Sequence, residues 1–375
     1  MRFVKSEDLK TGMRLARPIY NKNGVLLYER NSKLTVQGIN SVKNFGLLGI
    51  YILEPAEPVP PMTRADAEFE RFQTMCVFSI REELDVIAET GRTQRAQMIA
   101  SNIIKNYGHM DARINFLQNL RSKEDYIYKH SLNVAILCAM MTHAMNMKVE
   151  EQMDTVQAAL VHDIGKIMRF EDETAAGGAL IDMTTEIREE RGHALLETAF
   201  STKPNIKRIC TQAYKMLASV KTGEDISSIR LVNGARVLAV AETYDRMTAM
   251  KMDKEPASEV EALKFLLNNP KVYHSKVVEA LIKSVNILVP GVSVDLNTGE
   301  KALVLAANEA DILRPLILMF RDNSVIDLAD MELYEDLEIR DIMRTLDNRH
   351  VMDMDLLKKS GIEVDEAEYE EIPIV

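Results

Sequence analysis

The chain has no tryptophan, 6% aromatic residues and three cysteines in 375 residues. Cys76, Cys138 and Cys210 form no Cys-x-x-Cys pair and stand among apolar neighbours, which excludes a zinc ribbon and a disulfide framework. They read as reduced, buried thiols of a cytoplasmic protein. No run of 18 apolar residues occurs, so no membrane-spanning helix is expected. The opening MRFVKSEDLKTGM lacks the apolar stretch of a secretory signal. Positive charge is also in deficit, with 46 basic against 57 acidic residues and a formal charge of −11. That balance argues against a general DNA or RNA binder.

What remains is ample for packing. Hydrophobic residues make up 46% of the chain and charged ones 27%, the balance of a soluble globular protein of two or three domains. Residues 1–53 alternate short apolar runs with turn signals, including Asn23-Gly24 between strand-like runs and a later GIYIL at 49–53, and read as a small β-rich module. Four prolines in EPAEPVPPM mark 54–62 as a stiff linker. Residues 63–120 read as a helical connecting region and 121–285 as a helical domain. In the latter, Ile127, Val134, Cys138, Met141 and Met145 recur at helical spacing. From 287 to 330 three β-rich runs punctuated by Asn-Thr-Gly, Asn-Glu-Ala-Asp and Arg-Asp-Asn-Ser read as a β appendage. A short helix and an acidic tail fill 331–375. The expected fold is therefore mainly α: an all-helical domain flanked by a β-rich module before it and a β-rich appendage after it.

Chemistry concentrates in ALVHDIGKIM, residues 159–168. The helix leading into it buries a face of Met153, Val156, Leu160, Ile164 and Ile167, and Gly165 reads as its stop. An imidazole and a carboxylate side by side at that end, His162 and Asp163, can both face a divalent cation. Partners are sought on other helices, because each buried polar group left unsatisfied costs about 1–3 kcal/mol. His130 stands on an otherwise apolar face in DYIYKHSLNVAILCAMM. His193 opens an amphipathic stretch, and Glu242 is the acid in the apolar run ARVLAVAETYD. One metal centre would satisfy His130, His162, Asp163, His193 and Glu242 together. His109, His143, His274 and His350 stand in polar or helix-end settings and read as structural or surface residues.

His130, the His162-Asp163 doublet and the acid of AVAETYD follow the ligand order of the HD superfamily of metal-dependent phosphohydrolases. HSLNVA, LVHDIGKI, a later Gly-His and ARVLAVAETYDRMT resemble the blocks of its HD-GYP subfamily over about 121–285. The β-rich module and the β appendage are similar to segments flanking such domains. The resemblance implies an HD-type helical fold and hydrolysis of cyclic di-GMP in bacterial signalling. It makes Asp163 a catalytic ligand able to bridge two ions, and Lys166 a catalytic group that contacts the substrate phosphate. It implies a divalent metal such as Fe or Mn, a cyclic dinucleotide or other nucleotide phosphate as ligand, and homo-oligomeric or signalling partners.

The chain departs from that pattern. Gln212, Ala213 and Tyr214 stand where a second histidine pair is expected, and no Gly-Tyr-Pro follows. The last acid is Glu242 rather than Asp, and the position one turn before the first histidine is Tyr126. A second ion would keep only Asp163 and His193, so one ion is expected and a second only weakly. Three readings stay open: a phosphodiesterase acting on cyclic di-GMP, a degenerate receptor or interaction scaffold, and a mononuclear HD phosphohydrolase acting on another nucleotide.

Overall fold

The computed structural model describes residues 2–21, 23–44, 49–53, 64–116, 126–167, 185–226, 228–249 and 256–342. The expected linker at 54–62, His350 and the acidic tail lie outside the described residues. The chain divides into two units, residues 1–75 with 258–261 and 286–375, and residues 76–257 with 262–285.

The N-terminal part of the first unit contains β1 (Arg2–Lys5), β2 (Arg14–Leu15), β3 (Ile19–Tyr20), β4 (Leu26–Tyr28), α1 (Val36–Asn44) and β5 (Gly49–Leu53). The order β1-β5-β2 forms an antiparallel sheet, and β3 pairs with β4 as a hairpin. The hairpin turns where Asn-Gly requires it. Gly24 takes φ +72°, and Asn21 Oδ1 accepts hydrogen bonds from the backbone N–H of Asn23 and Val25. Leu15, Leu34, Val42 and Ile52 close a small core.

The helices follow: α2 (Arg64–Thr90), α3 (Ala96–Tyr107), α4 (Tyr126–Ala144), α5 (Val149–Val161), α6 (Thr185–Ala199), α7 (Pro204–Thr222), α8 (Asn233–Thr248), α9 (Glu259–Leu267) and α10 (Ser275–Ser284). The centre of the second unit is α4, buried without interruption from His130 to Thr142 and packed against α3, α5, α8 and α10. A helix apolar on every side gains nothing from solvent and is stable only when neighbours cover it all round. Polar groups on such a helix need partners inside the core, and this brings the site residues inward. End signals are explicit on α7, with Pro204 in the first turn and Gly223 at φ +70° donating to Ser219 O. His274 caps α10 by accepting from Lys276 N, and His143 pairs with Asp111 at 2.9 Å.

The C-terminal sheet comprises β6 (Ser293–Leu296), β7 (Lys301–Ala306), β8 (Leu316–Met319), β9 (Val325–Asp327) and β10 (Ile339–Ile342), with a single turn, α11 (Met331–Tyr334), before the last strand. Its order is β10-β6-β7-β8-β9, antiparallel throughout. The stretch expected to hold three runs holds four strands, because β9 is only three residues long. The sheet also continues past 330. Ile339 and Ile342 are buried against β6, a pairing too short to stand out from the acidic text around it. Among the described residues no helix is long and apolar enough to cross a membrane.

Candidate metal centre

Helix α5 ends at Val161, so His162 and Asp163 lie at its C-terminus and lead into a 3-10 turn at Ile164–Lys166. Gly165 was expected to stop that helix. The helix ends four residues earlier, and the glycine serves a different purpose. A Cβ on Gly165 would meet Arg188 O of α6 at 2.2 Å, and one on Gly192 would meet the Gly165 backbone at 2.9 Å. Two glycines thus let α6 lie directly on the turn that carries His162 and Asp163.

His162 is buried, and its Nδ1 is 2.8 Å from Ala159 O. The only role open to Nδ1 beside a carbonyl is donor, which leaves a lone pair on Nε2. Burial lowers the His162 pKa to about 4 despite the neighbouring Asp163, so the ring is neutral near pH 7. His130, on α4, places Nδ1 2.6 Å from Asp245 Oδ2 on α8, and Asn133 donates to the other oxygen at 3.1 Å. That pairing likewise turns the His130 Nε2 lone pair inward. The two Nε2 atoms stand 3.2 Å apart.

Two acceptor lone pairs facing each other need a proton or a cation between them. Ligands about 2.0–2.2 Å from one ion stand roughly 3 Å apart at right angles and somewhat more in tetrahedral geometry. The imidazole pair meets that spacing. Asp163 completes the group, with Oδ1 3.7 Å from His162 Nε2 and Oδ2 3.8 Å from His130 Nε2. Its Oδ2 is buried with no hydrogen-bond partner among the described residues. One ligand atom from each of His130, His162 and Asp163 lies within 4.8 Å of the others, and the group can hold a metal ion.

The remaining expected residues take different positions. Glu242 on α8 lies 3.8 Å from His130 Nε2 and 3.7 Å from His162 Nε2, and its carboxylate pairs with Arg246 one turn later. It flanks the three-residue group. Lys166 donates to Asp163 Oδ1 at 2.6 Å. Burial opposes ionisation of Asp163, but His162, Lys166 and His130 outweigh it and hold its pKa well below the usual carboxylate range. His193 stands outside the group. Its ring packs edge-on against Tyr214, centroids 5.8 Å apart, and its pKa is lowered by burial and by Lys207. Tyr126 stacks on the His130 ring at 5.4 Å. Gln212 accepts from Val232 N and donates to Arg230 O, so it braces the entry to α8. Cys210 donates its thiol to Ala158 O.

Three contributors escaped sequence reasoning. Glu242 was read as the buried acid of its run, yet Asp245 is fully buried as well, three residues on along the same helix. That i, i+3 spacing was the available signal. Glu189 sits in the charged run REER, where nothing marks it as internal. It is 6% exposed, and burial together with Asp163 raises its pKa to about 7. Arg246 followed the acid and carried no pattern of its own. His162, Asp163, Lys166, Glu189, Glu242 and Arg246 line one cavity of about 250 Å³, closed on another side by α7.

The helical domain thus converges two imidazoles and the buried carboxylate of an adjacent His-Asp pair, a donor set that can hold a divalent metal ion. Residues 127–247, under half of the chain, match the HD domain family. Over 278 residues the chain is 21% identical to a cyclic di-GMP phosphodiesterase of Pseudomonas aeruginosa, covering 71% of this chain and 66% of that protein. It is also 29% identical over 150 residues to a ribonuclease Y of Pelobacter propionicus, 38% of this chain and 27% of that one. A ribonuclease Y of Geobacter sulfurreducens is 29% identical over 132 residues, 33% of this chain and 23% of that one. The chain thus spans just under two thirds of the first relative and about a quarter of the others. No solved structure matches it.

Proposed function

We propose that the protein is a metal-dependent phosphodiesterase of HD-GYP type and that cyclic di-GMP is its substrate. The observation that carries the reading is the pair of Nε2 lone pairs 3.2 Å apart beside the unpartnered Oδ2 of Asp163. His130, His162 and Asp163 would hold the ion, with Glu242 beside them. A divalent metal of the Fe or Mn kind supplies Lewis acidity toward a phosphoryl oxygen and a lowered pKa for a coordinated water.

The chain's own groups then have defined tasks. Asp245 holds His130 in one tautomer and orientation, as Ala159 O holds His162. Lys166 keeps one N–H on Asp163 and has two more for a phosphate oxygen at the cavity. Glu189 presents a carboxyl that is partly protonated near neutrality toward the same cavity. The Pseudomonas relative, a cyclic di-GMP phosphodiesterase, supports the choice of cyclic di-GMP.

A second reading is a nucleotide receptor that has lost catalysis. It is favoured by Gln212, whose amide is committed to the backbone of Arg230 and Val232 where a ligand pair is expected. Metal content and phosphodiesterase activity with added Mn²⁺ or Fe²⁺ decide between them, with Asp163→Ala run alongside. Cyclic di-GMP, other cyclic dinucleotides, nucleoside triphosphates and a short RNA form the substrate panel. Hydrolysis by the wild type that falls to background in Asp163→Ala supports the enzyme. Equal background rates with retained binding of cyclic di-GMP support the receptor.

A further inference from the structure

One face of α7, from Cys210 to Thr222, lines the cavity. Cys210, Tyr214, Leu217, Ala218, Lys221 and Thr222 recur at helical spacing and all border it. Cys210 marks the end near the metal ligands, since its thiol donates to Ala158 O, one turn before His162. The residues from Cys210 to Lys221 cover about 16 Å of helix axis at 1.5 Å per residue. The recess is therefore longer than one phosphate group requires.

Charge is unevenly used along it. At the metal end each cation is already paired with a carboxylate, Lys166 with Asp163 and Arg246 with Glu242. Lys221 at the far end is exposed and makes no hydrogen bond or ion pair among the described residues. Between them Tyr214, Leu217 and Ala218 present half-buried, mainly apolar surface. An anion site and an apolar strip beside a reacting centre match a ligand whose two phosphates are joined through one sugar, its base lying against the strip.

We propose that this face of α7 is a second subsite, in which Lys221 takes a phosphate beyond the scissile one and the Tyr214–Ala218 strip contacts the intervening nucleoside. The inference rests on the phosphodiesterase reading of the same cavity and narrows its substrate to nucleotides carrying a second phosphate. A simple phosphate monoester leaves the α7 end unfilled.

The test compares two probes on the full chain by calorimetric titration. One is a 5′-phosphorylated linear dinucleotide with a slowly hydrolysed phosphorothioate linkage, and the other is a nucleoside 5′-monophosphate. Lys221→Gln is expected to weaken dinucleotide binding about tenfold, the scale of one charge-assisted contact, while monophosphate binding changes less than twofold. Lys215→Gln, exposed on α7 but outside the cavity lining, changes neither. The proposal is overturned if the wild type has no preference for the dinucleotide, or if Lys221→Gln alters both probes equally or neither. The hydrolase reading is scored separately by the Asp163→Ala assay. An inert protein whose dinucleotide preference depends on Lys221 keeps the subsite and loses the enzyme, and an active protein without that dependence does the reverse.

Discussion

Asp245 Oδ2 lies 2.6 Å from His130 Nδ1, deep between α8 and α4, and both residues are buried. The contact determines which nitrogen of His130 faces the centre. It also raises the basicity of that nitrogen, as carboxylate partners of ligating histidines do.

Asp245→Asn keeps the shape of this contact and removes its charge. Metal affinity is expected to fall about 10–100-fold, the usual cost of losing such a partner. Competition with a chelator of known affinity measures it, and far-ultraviolet circular dichroism checks that the fold persists. Unchanged affinity would remove Asp245 from any role at the centre.

His162 has a folded pKa of about 4 against 6.5 for the free side chain. Protonation therefore favours the unfolded chain, and the stability present above pH 6.5 is lost as pH falls toward 4. The full loss is about 3 kcal/mol at 1.36 kcal/mol per pH unit. Chelator-treated wild type and His162→Gln should diverge in pH dependence over that window and run parallel above it. Urea titrations at pH 4.5, 5.5, 6.5 and 7.5 read the difference.

Glu189 works in the opposite direction. Its pKa of about 7 lies above the ordinary 4.5, so ionisation destabilises the folded state as pH rises from 4.5 through 7. In the metal-free protein Glu189→Gln is expected to stabilise by about 1–3 kcal/mol at pH 8 and to have little effect at pH 4. A stabilisation that is the same at both values would show that packing rather than charge is responsible.

Gly192→Ala adds a methyl where 2.9 Å separates it from the Gly165 backbone. Backbone does not yield as a flexible side chain does, so the cost is expected at about 1–3 kcal/mol. Loss of metal affinity should accompany it, because the displaced turn carries His162 and Asp163. Ala194 beside it is exposed, and Ala194→Ser serves as the neutral control.

The parts of the fold that declared themselves in sequence did so through strong local periodicity or strong turn chemistry. The uninterrupted apolar character of α4 and the Asn23-Gly24 hairpin are examples. Strands of three or four residues, such as β9 and β10, bury too little to write a pattern, and β10 needs β6 to exist at all. The same contrast holds at the centre. His130 and the His162-Asp163 pair stood out because polar groups on apolar faces demand partners, and the structure brings those three together. His193 carried the same kind of signal; its ring packs against Tyr214, and its Nε2 is buried with no hydrogen-bond partner among the described residues. Asp245 and Glu189 were hidden for complementary reasons, one behind a nearby acid and the other within a charged run. The work of Gly165 is tertiary: what forbids a side chain there is a carbonyl 23 positions further along the chain, at Arg188.

The contact of Gly165 with the α6 backbone acts as a hinge pin with no clearance. A side chain at either position would run into backbone, Arg188 O for Gly165 and the Gly165 backbone for Gly192. Any tilt of α6 is delivered straight to the His-Asp pair.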